Sequence, residues 1–279
     1  MNNSDVYIDI EKVFRQKNPR LFTMIPRFIF SYIKKIIHQN DLNRDLRIIA
    51  PYKGAEKMRK FLEIHSIKTH INGREHIPAD GRYIFVANHP FGGPDGILLM
   101  ACISEFFPHI KFLVNDLLLH LPDMEEVFLP LNKHGKNSKE YLTLIDSAYT
   151  SNAQIIVFPA GIVSRKINGV ITDLEWQKSC VTYAKKYKRD IIPIFIHGKN
   201  SNFFYNLAYA RKRFGIKANL EMFYLVDELY KHTNETISVT FGKPISYTYF
   251  SEAKKDKEWA QELKQITYAL AKQTNGNNN

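Results

Sequence analysis

Short apolar runs alternate with stretches of helical spacing from residue 67 onward, and no other feature constrains the fold as tightly. Strand-like runs fall at 68–71, 83–87, 111–114, 127–129, 154–158, 191–196, 220–224 and 237–241. Helical stretches fall between several of them, at 97–107, 138–150, 173–188 and 203–213, and a last helix is expected at 252–272. Strands spaced by helices predict an α/β fold: a mixed, largely parallel sheet covered by helices. The chain's 279 residues supply enough material for one such domain. The domain is expected over 67–273, followed by a polar, disordered tail at 274–279.

Residues 1–66 read differently. Asn18-Pro19 is a helix start, a cap followed by proline at the first helical position. Leu21, Phe22, Ile25, Phe28, Ile29, Tyr32, Ile33, Ile36 and Ile37 then recur at helical spacing, with Arg20, Arg27, Ser31, Lys34 and His38 opposite. Pro26 should kink or split this helix. A second helix is expected at 54–64. Two readings stay open for the first segment. It is an amphipathic extension lying on a membrane, with Arg20, Arg27, Lys34 and Lys35 toward anionic headgroups, or it is a core helix with a solvated basic face.

Charge narrows the partners. Lys and Arg number 39 against 28 Asp and Glu, a formal charge of +11. Such a surplus favours an anionic partner: a phospholipid surface, an acidic carrier or substrate, or nucleic acid. No helix-turn-helix, zinc-finger or RNP-like pattern appears, so nucleic acid is not expected. Cys102 and Cys180 form no CxxC, which argues against a disulfide scaffold and a cysteine zinc site. No HExxH-type cluster is present, and no metal is expected. The N-terminus has acidic residues before any apolar run and no basic leader region, so no secretory leader is expected. No apolar stretch is long enough to span a bilayer.

Chemistry concentrates where the apolar run 83–87 enters Asn88-His89-Pro90-Phe91-Gly92-Gly93-Pro94-Asp95. A histidine at the C-terminal end of a strand lies where α/β sheets place ligands. A compact turn can return the Asp95 carboxylate to the imidazole, fixing its tautomer and raising its basicity. No GxSxG elbow supplies a nucleophile, which leaves that role to a substrate hydroxyl. The alternatives are a structural histidine in a turn and Asp95 as a plain helix cap. A second run ends in Phe158-Pro159-Ala160-Gly161-Ile162-Val163-Ser164-Arg165, with Asp173, Trp176 and Lys178 beyond it. Arg165, Lys166 and Lys178 there suit an anionic group. A third, 191–196, ends in the polar loop His197-Gly198-Lys199-Asn200-Ser201.

The blocks Asn88-His89…Asp95, Phe158-Pro159-x-Gly161 and the strand with Pro193 occur in the order and approximate spacing of the lysophospholipid (glycerolipid) acyltransferase family, which residues 70–245 resemble. The chain is most similar to the bacterial hemolysin-like branch that O-acylates lyso-ornithine and lyso-glycine lipids. The resemblance implies an acyl thioester donor, acyl carrier protein or coenzyme A, a lysolipid acceptor, and no resident cofactor. It implies His89 as base, Asp95 as its support, and amide donors near Gly92-Gly93 for the oxyanion. It also implies substrate contacts at Asn88, Pro159, Gly161, Ser164, Arg165 and Lys178, and a peripheral place on the cytoplasmic face of the inner membrane.

This chain departs from the common pattern at groups that hold glycerol phosphate. Five residues separate His89 from Asp95 instead of four, and Ala160, Ile162 and Val163 replace Glu, Thr and Arg of the third block. Phe128-Leu129-Pro130-Leu131 lacks the second block's Arg, although Lys133 and Lys136 are near. An amino-acid lysolipid, its carboxylate on Arg165 or Lys178, is therefore the expected acceptor, and 1-acylglycerol-3-phosphate is the alternative.

Overall fold

The computed structural model describes residues 7–114, 123–130 and 139–272. In chain order it contains α1 (Ile10–Lys17), α2 (Pro19–Met24), α3 (Arg27–Ile36), α4 (Gln39–Ile49), α5 (Gly54–Ile64), β1 (Lys68–Asn72), β2 (Tyr83–Ala87), α6 (Gly93–Ile103), β3 (Ile110–Val114) and β4 (Phe128–Pro130). There follow α7 (Lys139–Thr150), β5 (Gln154–Val157), β6 (Arg165–Ile167), β7 (Val170–Thr172), α8 (Ser179–Tyr187), β8 (Asp190–Ile196), α9 (Asn202–Arg213), α10 (Leu225–Lys231), β9 (Thr236–Phe241) and α11 (Asp256–Ala269). Lys133, Lys136 and the 274–279 tail fall outside the described residues, as do the first six residues of the N-terminus.

Seven strands make one sheet in the order β1-β9-β8-β2-β5-β3-β4, and every neighbouring pair is parallel except β8 with β9. The expected mixed, largely parallel α/β sheet is present. β2 lies at its centre because both of its faces are apolar. Phe85 and Ala87 enter the core beneath α5 and α6, and Ile84 and Val86 enter the core beneath α7, α8 and α11. All four are fully shielded from solvent, each large side chain contributing ~1.5–3 kcal/mol of burial.

Arg189, just before β8, closes the sheet's opposite end. Its buried guanidinium donates to the carbonyls of Tyr149, Ser151 and Ala153, at 2.8, 2.6 and 2.7 Å, and burial lowers its pKa to about 10.

The structure differs from expectation in several places. The strand expected at 220–224 is a 3-10 turn, because Glu221 points inward to two arginines. The helix expected from 173 begins only at Ser179. Residues 173 and 176 instead donate their amides to Tyr268 Oη and Gln261 Oε1 of the α11 region. The hairpin β6–β7 was not anticipated, although its turn, Asn168-Gly169, has both residues at positive φ, as a two-residue hairpin loop requires.

Pro26 splits the N-terminal helix into α2 and α3, as its sequence predicts. The apolar residues of this pair exceed one core face. Phe30 and Ile33 of α3, with Ile37 after it, turn inward toward α1, Phe223 and Val226, while Met24, Phe28 and Tyr32 stay exposed. α4 and α5 instead feed Leu46, Ile49, Met58, Phe61 and Leu62 into the main core. Among the described residues no helix is long and apolar enough to cross a membrane.

Candidate functional site

The site begins where β2 ends. Asn88 continues the β2–β8 pairing with its side chain: Oδ1 accepts the Ile196 N–H at 2.7 Å and Nδ2 donates to the Ile196 carbonyl at 3.0 Å. Both ends of the amide are thereby used by the scaffold. The next residue, His89, is delivered at the sheet's C-terminal edge.

The His89 ring is held on two sides. Nδ1 lies 2.7 Å from Asp95 Oδ2, and the ring stacks on Phe158 with centroids 4.2 Å apart and planes 13° from parallel. An ionised carboxylate only accepts, so Nδ1 carries the proton and Nε2 is left with its lone pair. Nε2 has no hydrogen-bond partner among the described residues, and the side chain is 16% exposed. That geometry is what a general base requires.

Asp95 occupies the first turn of α6 and is fully buried. Its Oδ2 also accepts the Phe91 and Gly92 amides, at 3.0 and 2.9 Å, while Oδ1 is buried without a partner among the described residues. Burial pushes this carboxyl above the usual carboxylate range, and the bonds from His89, Gly92 and Phe91 pull against the rise. The five-residue spacing and the capping reading are reconciled here, since one oxygen both caps α6 and orients the imidazole.

The same turn leaves one donor over. Gly92 N–H goes to Asp95, Pro94 has none, and Asp95 N–H goes to the Gly92 carbonyl at 3.2 Å. Gly93 N–H has no acceptor among the described residues. Gly93 is exposed and a Cβ built on it would meet nothing within 4 Å, at the positive end of α6. Gly92 differs: at φ 95° its Cβ would approach Val163 Cγ2 to 3.0 Å and Leu225 to 3.1 Å, so only glycine fits.

The loop after β5 grips His89 by its main chain. Ser164 N–H donates to the His89 carbonyl at 2.8 Å, and Ser164 Oγ donates to Asp173 Oδ1 at 2.5 Å. Asp173 Oδ1 in turn accepts the His89 N–H at 3.2 Å, and Asp173 Oδ2 accepts Trp176 Nε1 at 2.9 Å. Asp173 is fully buried, so its fold-back closes a polar network under the histidine. The sequence carried Asp173 only as a neighbour of the Phe158–Arg165 run; nothing in its spacing showed that it returns to His89. Pro159 lies on the same loop, its carbonyl accepting Gln177 N–H at 2.9 Å, and Gly161, at φ 68°, faces open space.

The expected cations lie apart from one another. Arg165 Nη1 donates to the Val163 carbonyl at 2.7 Å, and Nη2 meets buried Glu221 at 3.1 Å. Glu221 also takes Arg211, at 2.7 Å, so two guanidiniums share one carboxylate. Burial lowers the Arg165 pKa. Lys178 immediately precedes α8 and lines a surface cleft with Glu175 and Glu252, where its charge acts on Asp256. Lys166 is on the exposed hairpin. Arg20, Arg27 and Lys35 are exposed on α2 and α3, and Lys34 pairs with Glu11 at 2.5 Å.

The chain is 41% identical over 264 residues to a lyso-glycine lipid O-acyltransferase of Bacteroides thetaiotaomicron, covering 94% of this chain and 97% of that protein. It is 39% identical over 270 residues to the protein of the same description from Phocaeicola vulgatus, with 96% and 97% covered. Among solved structures, the 1-acyl-sn-glycerophosphate acyltransferase PlsC of Thermotoga maritima aligns over 94% of this chain and 98% of its own, at 17% identity and a TM-score of 0.44. A family model described as Acyltransferase matches residues 12–276. Since that match takes in the whole described sheet together with His89 and Asp95, the chain belongs to the acyltransferase family.

Proposed function

We propose that this chain moves a fatty acyl group from a thioester, carried by acyl carrier protein or coenzyme A, to the hydroxyl of a lyso-glycine lipid at a membrane surface. One observation carries the reading: Asp95 holds His89 Nδ1 while Nε2 has no hydrogen-bond partner among the described residues, in the same turn as the exposed Gly93. The two curated relatives, described as lyso-glycine lipid O-acyltransferases, support the acceptor class.

The mechanism runs through these groups. His89 Nε2 removes the acceptor's hydroxyl proton as its oxygen attacks the thioester carbonyl carbon. Asp95 holds the imidazolium that forms, and Gly93 N–H faces the oxyanion. The C–S bond then breaks, and the leaving thiolate takes the proton back from His89. No residue of the protein is acylated. The net positive charge of the Arg165–Glu221–Arg211 group favours an acceptor headgroup carrying a carboxylate. Exposed Met24, Phe28 and Tyr32, with Arg20, Arg27 and Lys35, support contact of α2–α3 with the cytoplasmic face of the inner membrane.

Thioester consumption by purified protein and by His89→Ala tests this, with lyso-glycine lipid and lysophosphatidate offered in parallel. Turnover on the glycine lipid, lost in the variant, is the expected result. Turnover on lysophosphatidate alone would reject the acceptor, and turnover retained by His89→Ala would reject the mechanism.

A further inference from the structure

The two longest stretches of this chain without aspartate or glutamate are Lys12 to Asn40 and Ile191 to Leu220. The first holds α2 and α3. The second holds β8, α9 and the segment beyond α9, where every residue from Lys212 to Leu220 is exposed. In a chain with 28 acidic residues, both stretches combine several cations that have no carboxylate partner among the described residues with large apolar side chains turned to solvent.

On the second stretch, Phe214 is 78% exposed, Phe203 50% and Ile216 42%. Phe203 and Phe214 lie about three turns apart on one side of α9. Lys212, Arg213 and Lys217 surround Phe214 and Ile216 with no carboxylate partner among the described residues. Core packing does not account for this pattern, because the inward face of α9 is already filled by Phe204, Tyr205 and Ala208.

Tyr224, outside both stretches, bridges them. Tyr32 Oη and Tyr224 Oη are 2.6 Å apart, and the Tyr224 ring lies 4.9 Å from Phe203. Next to Tyr224 is Leu225, whose side chain closes on Gly92 in the turn between His89 and Asp95. The seam between the stretches therefore leads to the catalytic turn.

We propose that α9 and residues 212–220 form a second membrane-docking limb, seated on the same anionic bilayer as α2–α3, with the entrance to the site between the limbs. The inference rests on the membrane-surface reading above and extends it to a surface with no part in the chemistry. Charge complementarity selects the occupant: apolar side chains ringed by unpaired cations fit acyl chains below anionic headgroups. Two limbs also orient the enzyme, since a single helix can roll on the surface.

Tryptophan fluorescence provides the test, because Trp176 and Trp259 are both buried and supply a constant background. Phe214→Trp and Phe28→Trp are each mixed with phosphatidylcholine vesicles containing phosphatidylglycerol with brominated acyl chains. Blue-shifted, quenched emission from both variants, beyond wild type, is the expected result. Lys212→Gln, Arg213→Gln and Lys217→Gln together should weaken partition onto these vesicles by on the order of a hundredfold. Quenching of Phe28→Trp alone would overturn the second limb and leave the proposed function standing. Quenching of Phe214→Trp in a protein that consumes no thioester would sustain the limb and reject that function. Unchanged partition of the triple variant, with KM raised only for an acyl carrier protein donor, would overturn the proposal by assigning the surface to the carrier.

Discussion

Asp173 holds His89 by its main chain: the carboxylate accepts the His89 N–H at 3.2 Å across 84 residues of sequence. Asp95 holds the ring and Asp173 holds the backbone, so two buried carboxylates fix one histidine through different atoms. Ser164 completes the grip by donating its own amide to the His89 carbonyl and its hydroxyl to Asp173. A base held this way loses little entropy on reaching the reactive geometry.

Asp173→Asn and Ser164→Ala should lower kcat by about 10–100-fold, because small displacements of a reacting group are costly. KM should change less, and the pH profile should keep its shape, since the ring's partner is untouched. A proportional loss of folded protein with an unchanged kcat per folded molecule would reduce both residues to structural roles. Circular dichroism beside steady-state kinetics separates the two.

Asp95→Asn should reduce acyl transfer by ~10²–10⁴-fold, because the His89 base loses the carboxylate that sets its tautomer and holds the imidazolium. Its effect on stability has a definite sign. Burial raises the Asp95 pKa in the folded protein, so the favourable contribution of its neutral form is present at acidic pH and is lost as pH rises through the folded value. The asparagine carries no charge at any pH. Melting temperatures should therefore favour the variant over wild type more at neutral pH than at acidic pH.

Gly92→Ala should destabilise the protein by ~1–3 kcal/mol, the scale of a strained left-handed residue. The φ of 95° and the 3.0 Å approach to Val163 act together, whereas Gly93→Ala meets no atom within 4 Å. Thermal melts of the two alanine variants check the contrast.

Glu221→Gln should cost ~3–5 kcal/mol, because it leaves Arg165 and Arg211 without the buried carboxylate they share. Arg165→Met combined with Glu221→Gln should recover part of that loss in chemical denaturation. If Arg165 also meets an acceptor carboxylate, the double variant keeps its recovered stability and shows a raised KM for lyso-glycine lipid.

Both cysteines should resist alkylation in the native protein. Burial pushes the Cys102 and Cys180 thiols up from 9.0 to about 12, so neither forms a thiolate near neutral pH. By linkage their contribution to stability is complete below pH 9 and falls as pH rises toward 12, where the thiolates form in the unfolded chain first. Iodoacetamide labelling should therefore track denaturation rather than incubation time.

Sequence alone determined the sheet-and-helix layering and the end of the strand that carries His89. Each of these is set locally, by the continuous apolar run of β2, by the Pro26 split and by turn residues that permit one backbone path. It also determined that Asp95 lies within reach of His89, because a short turn leaves few arrangements. Tertiary structure alone decided what the remaining polar residues do. Asn88 binds strand β8, Arg165 binds Glu221, Lys178 sits beside α11, and Asp173 returns to the His89 amide. Those partners lie far along the chain, and a buried polar group takes whichever complement the packed fold brings within about 3 Å. Spacing in the sequence carries no record of that choice. The exposed aromatics of α3 and α9 show the same division: the pattern marked α3 as amphipathic, but only packing revealed which apolar side chains the core left uncovered.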